Sequence, residues 1–146
     1  MIDIIPYEAG HMLSLLKSGV IECGVSDSGG EFLRNLALSR ETCRSNTGLL
    51  DGELAACYGV EKLWPGVAEF WAFFSPSVEL KSIEVSRKIA EEIDRLSHGY
   101  HRVQAHVRKD FVQAVRMMEW LGFDKECLCT QFAQDKCDCY QFVRIS

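Results

Sequence analysis

The stretch VAEFWAFFSPSVELKSIEVSRKI, residues 67–89, decides the fold. Its first eight residues are apolar at both alternating sets of positions, Glu69 excepted, and that pattern predicts a central strand covered on each face. Ser75 and Pro76 end the run. The period then changes: at about 100° per residue, Val78, Val85, Ile89, Ile93 and Leu96 fall on one narrow face, and Lys, Arg and Glu take much of the rest. This predicts a helix over 77–98, started at Ser75-Pro76 or Ser77 and stopped by Gly99.

Working outward, Asp51-Gly52 lies between two apolar runs, the pattern of a two-residue hairpin turn that needs positive φ. Upstream, MIDIIPY reads as a strand ended by Pro6. EAGHMLSLLKSG places Met12, Leu15 and Leu16 at helical spacing and stops at Gly19. Residues 20–30 read as a loop, and EFLRNLALSRE returns to a helical period through Phe32, Leu33, Leu36 and Ala37. Downstream, HRVQAHV turns Val103, Ala105 and Val107 inward and leaves His106 on the polar side.

Residues 110–121 form a further helix, with Asp110 as its cap and Gln113 completing a box-like start. Phe111, Ala114, Val115, Met118 and Leu121 share its buried face. Gly122 then fits the left-handed position after the helix, with Phe123 folding back onto the last turn. KECLCTQF and DCYQFVRI close the chain as strands. The order β-α-α-β-β-β-α-β-α-β-β predicts an α/β (α+β) protein with a mixed sheet, in one domain spanning 1–146.

Composition narrows the function classes. The 146 residues are 47% apolar and 25% charged, with a net charge of -5. Nucleic-acid binding leans on clustered Lys and Arg, so no nucleic-acid partner is expected. No signal peptide and no apolar run near the roughly 20 residues of a membrane helix are visible. Seven cysteines, an odd number without export signals, imply reduced thiols and a cytosolic setting.

The element order, together with AVRMMEWLGF near the end, resembles the GNAT superfamily of acyl-CoA-dependent N-acetyltransferases. Ala114, Gly122 and Phe123 match its final-helix pattern, and the strand ending in Ser75-Pro76 matches the strand that precedes its cofactor loop. The implied fold is a mixed, largely antiparallel central sheet with helices on both faces. LWPGVAEFWAFFSP, RVQAHVRKDF and WLGF are further similar to a GNAT-like family of phages and prophages that includes an internal virion protein of short-tailed phages. That likeness implies a virion or host-cytosol setting, with phage structural or host proteins as partners.

The resemblance also locates a cofactor site. It implies that Phe73, Phe74, Lys81, Ser82, Ile83, Phe111 and Met118 border an acyl-CoA. In active relatives the loop after the strand is glycine-rich, so that backbone N–H groups and the helix start can hold a diphosphate. Here the equivalent run is Glu79-Leu80-Lys81-Ser82-Ile83-Glu84, with no glycine and two carboxylates. Each carboxylate opposes a diphosphate by about 1 kcal/mol at a partly exposed site. The helix dipole returns only about 0.3–1 kcal/mol. The tyrosine that serves such enzymes as general acid falls at Met118, and the asparagine at the start of that helix falls at Phe111. Neither replacement can do the work of the residue it replaces.

Glu69 keeps a functional reading. Such enzymes place a general-base glutamate on this strand, and burial could raise its pKa to useful values; alternatively it is solvated or paired with an Arg. His106 is a second candidate base. Cys127-x-Cys129 and Cys137-x-Cys139 would converge for Zn²⁺ if a hairpin set Cys127 opposite Cys139 and Cys129 opposite Cys137. The other reading is small apolar side chains on a sheet face, with no metal. Trp64-Pro65-Gly66 reads as a lid on the core in preference to a partner contact.

The main expectation is a phage-related GNAT-fold protein with a degenerate diphosphate loop, non-catalytic or atypical, with no cofactor. The alternative is an active acetyl-CoA-dependent N-acetyltransferase with Glu69 as general base. A zinc-bearing interaction module is the third.

Overall fold

The computed structural model describes residues 1–17, 30–80 and 82–146. The elements run β1 (Ile2–Pro6), α1 (Ala9–Lys17), α2 (Glu31–Ser39), a 3-10 turn (Arg40–Thr42), β2 (Arg44–Leu50), β3 (Glu53–Trp64), β4 (Val67–Phe74), α3 (Ile83–Leu96), β5 (Arg102–Arg108), α4 (Val112–Trp120), β6 (Asp124–Cys129) and β7 (Cys139–Ile145). The order is the expected one. The expected ends at Gly19 and through 20–29 lie outside the described residues.

Seven strands form one sheet in the order β1-β2-β3-β4-β5-β7-β6. Every pairing is antiparallel except β4 with β5, which α3 connects as a crossover. Strand β4 is central and covered on both faces. Ala68 and Phe70 join Val103, Ala105, Ile93, Leu96, Val115, Met118 and Phe142 in the core beneath α3 and α4. Trp71 and Phe73 point the other way, into a cluster with Tyr7, just after β1, and with Met12, Leu15 and Ala37 from α1 and α2. Among the described residues no helix is long and apolar enough to cross a membrane.

Two turns follow the local rules. Asp51 and Gly52 both take positive φ, 51° and 85°, and β2 and β3 pair directly around them. At the end of α4, Phe123 N–H donates to Met118 O and Gly122 N–H to Glu119 O, each at 3.1 Å, with Gly122 at φ 88°. This is the paired Schellman closure, and Phe123 is buried as it requires.

Three expectations need correction. The helix expected over 77–98 begins at Ile83, because Ser82 caps it: its hydroxyl accepts from Val85 N–H at 3.4 Å. Residues 75–80 form turns instead, with Val78 N–H donating to Ser75 O. Asp110 does not cap α4. It is drawn away by Arg108, whose Nε and Nη2 both donate to it at 2.9 Å, and Phe111 takes the cap position without a side-chain bond. Trp64 is no lid on the core; its ring is 61% exposed beside the Gly66 turn.

Candidate active site

Strands β4 and β5 pair only at Val67–Arg102, Ala68–Val103 and Glu69–Gln104. Beyond Glu69 they separate. Strand β4 continues against β3 through Phe74, while β5 continues against β7 through Arg108. The β5-facing edge of β4 after Glu69 therefore has no strand partner among the described residues, and its backbone groups face a cleft of about 340 Å³. Phe70, Phe73, Phe74, Ala105, Met117 and Met118 wall it, and Phe32, Leu36 and Arg40 border it from the α2 side.

Glu69 stands at the fork with its side chain 28% exposed. Its Oε1 is 2.8 Å from Nδ1 of His106 and accepts Gln104 Nε2–H at 3.4 Å. Gln104 Oε1 in turn accepts Arg102 Nε–H at 3.2 Å. Arg102 grips Glu126 with Nη1 at 2.9 Å and Nη2 at 2.6 Å, a bidentate fork. Glu126 accepts Gln141 Nε2–H at 2.6 Å, and Gln141 Oε1 lies 3.0 Å from His106 Nε2. Six side chains close into one ring. Phe132 stacks flat on the imidazole, 4.2 Å between centroids and 8° between planes.

The ring fixes where protons sit. Arg102 only donates and Glu126 only accepts, so the amides of Gln104 and Gln141 each have a single satisfying orientation. Gln141 then turns its oxygen to His106, and Nε2 must carry hydrogen. One proton remains, between Nδ1 and Glu69. Burial pushes the Glu69 carboxyl up, yet the bonds and charge of His106, the Gln104 amide and Arg40 outweigh it and hold the group below the usual carboxylate range. Of the two candidate bases, Glu69 is thus the one held as a carboxylate, with lone pairs to offer. The pairing is with a histidine, not the arginine considered from sequence.

The remaining expected residues are divided. Phe73, Phe74 and Met118 border the cleft, and Met118 is also buried in the main core. Phe111 is half-buried among the residues between α3 and α4. Ser82 spends its hydroxyl on the helix cap, Ile83 is exposed on the surface, and Lys81 lies outside the described residues. Leu80 is 6% exposed, packed with Val85, Ala114 and Met117. Where a diphosphate would need bare backbone, this corner carries a packed leucine, and the amides of Ser82 and Val85 donate to Glu79 O and the Ser82 hydroxyl. The residues present fit the slim acyl-pantetheine arm of a coenzyme A in the cleft; they do not fit its diphosphate at the corner.

The cysteines do not form the array that the zinc alternative requires. Cys129 pairs with Cys139 and Cys127 with Gln141, two residues off the register that zinc would need. Cys137 sits in the intervening loop and donates its thiol to Asp138 O. Among the described residues no group of three or more His, Cys, Asp or Glu converges as a metal site.

No protein-family model matches the chain, and no curated protein matches it. Solved structures do. A GNAT-family acetyltransferase from Bacillus anthracis superposes with a TM-score of 0.67 at 17% identity, over 99% of this chain and 94% of that one. The dodecameric spermidine N-acetyltransferase of Vibrio cholerae gives 0.72 at 15% identity, over 99% and 93%. YncA of Salmonella typhimurium, solved with its cofactor acetyl-CoA, gives 0.69 at 12% identity, again over 99% and 93%. At such identities the likeness is one of architecture, and the chain has the GNAT fold.

Proposed function

We propose that the cleft transfers an acyl group from a thioester on a pantetheine arm to an amine, with Glu69 as proton acceptor. The observation that carries this reading is the fork: a carboxylate paired with His106 where two parallel strands part, beside a largely apolar cleft of about 340 Å³. The neighbour solved with acetyl-CoA supports the donor class.

A bound thioester would supply the activated acyl carbon. The chain supplies the rest. Backbone N–H groups along the β4 edge that β5 leaves uncovered can orient a carbonyl oxygen. Glu69 takes the proton that an ammonium must lose before its nitrogen can attack, and His106 keeps that carboxylate ionised and aimed. Met118 has no proton to give, so no acid acts from that position.

Acyl transfer from acetyl-CoA to a panel of amines, followed by mass spectrometry, tests the reading. Acylated amine that disappears in Glu69→Gln supports it; no product with any amine at millimolar acetyl-CoA overturns it.

The packed corner at Leu80 favours a second reading, a non-catalytic GNAT-fold protein working through protein contacts. Calorimetry separates the two, since that reading expects no heat with acetyl-CoA.

A further inference from the structure

The α2 side of the cleft holds a cation that is poorly answered. Arg40 follows Phe32 and Leu36 at four-residue spacing, so all three border the cleft from one helical face. Its side chain is only 12% exposed. The guanidinium lies over Trp71, 4.5 Å from the ring centroid. The nearest carboxylate oxygen, Glu61 Oε2, is 3.9 Å from Nη2, an ion pair too long for a hydrogen bond. Glu69 attracts it from farther off. Arg40 Nε and Nη1 are buried and find no acceptor among the described residues, and neither does Nε1 of the Trp71 ring beneath them.

Buried donors without acceptors are rare in folded proteins, and buried charge is ordinarily paired. Here three unmatched N–H groups from two stacked side chains lie beside a cleft whose other polar lining is the Glu69 carboxylate and its partner His106. An arginine fork and an indole N–H together suit a planar carboxylate. A polyamine would bring its charges against a fixed cation.

We propose that the amine acceptor is an amino acid: its carboxylate held by Arg40 with Trp71 Nε1–H, its amino group at Glu69, and an apolar side chain against Phe32 and Leu36. This rests on the acyl-transfer reading for the role of Glu69, but the carboxylate site can be tested without catalysis.

The test is calorimetry of the full chain with N-acetyl-L-leucine, the product such an acceptor would yield, and with its methyl ester. The acid should bind about 10-fold or more tighter than the ester. Arg40→Met should bring the two within about 3-fold, and Trp71→Phe, which keeps a ring but removes the donor, should narrow the gap by a smaller factor. Equal binding of acid and ester by the unaltered chain, or no binding of either at 10-fold the concentration at which an ordinary metabolite saturates (about 10 mM), would overturn the proposal whatever the variants do. Acyl transfer to spermidine but not to leucine would also overturn it while leaving the acyltransferase standing. Acid-selective binding with no transfer from any thioester would retain the carboxylate site and remove the enzyme.

Discussion

Nδ1 of His106 lies 2.8 Å from Oε1 of Glu69, although the two residues are on strands that have already parted in their hydrogen bonding. The side chains bridge the fork that the backbones open. The carboxylate's pKa is thereby held down at the mouth of a largely apolar cleft, where burial alone would raise it.

Replacing Glu69 by Gln removes the proton acceptor at nearly constant shape. Acyl transfer should fall by about 10²–10⁴-fold in kcat, the range a positioned base supplies, with KM for the thioester changed far less. Steady-state kinetics on both variants checks this; an unchanged kcat assigns the base elsewhere.

His106 acts through Glu69 as a positioning residue. With His106→Asn the carboxyl loses its main partner and its pKa rises, so the acidic limb of the pH–rate profile should move to higher pH. Stability carries the same sign. Glu69 is depressed in the folded chain, so its contribution is full above the ordinary glutamate range and is lost as pH falls through the folded value. Urea midpoints measured across the acid range should fall less steeply for the variant than for the parent.

Leu80 fills the corner between α3 and α4. Leu80→Ala should cost about 2–4 kcal/mol in urea unfolding, as for other buried leucines. Because the described residues of the corner offer no diphosphate cradle, acetyl-CoA and S-acetylpantetheine should bind within about 3-fold of each other, a difference under about 1 kcal/mol. Coenzyme A binding a hundredfold tighter in calorimetry would show that the diphosphate is gripped after all.

Glu92 lies on the buried face of α3, where it accepts a short hydrogen bond from Tyr58 and pairs with Arg95 Nε at 2.8 Å. Tyr58→Phe leaves one oxygen of that carboxylate without its donor and should destabilise the chain by about 1–3 kcal/mol. Thermal or urea unfolding reads the change, and acyl transfer at 25 °C should be retained because the pair lies outside the cleft.

Much of the architecture was legible because it is local. Asp51-Gly52 dictates its turn, Gly122-Phe123 its helix closure, and the two-sided apolar run of β4 its place mid-sheet. The start of α3 was misread because Ser75, Ser77 and Ser82 are all competent caps, and packing of Leu80 and Val85 selects the last. Glu69 and His106 were each visible as candidates, but nothing in their spacing joins them. The ring depends on β7 pairing with β5 and on β6 lying outside it, an order that chain sequence does not state. Arg40 left no signal either, since a lone arginine after a helix is ordinarily a solvated one.

Strand β6 is irregular between Lys125 and Cys127, so that Glu126 is an additional residue opposite Gln141. That single surplus position lets Glu126 reach across β7 to Arg102 on β5. Deleting one residue from the outermost strand would thus unplug the far end of the wiring and be felt three strands inward, in the aim of a side chain on β4.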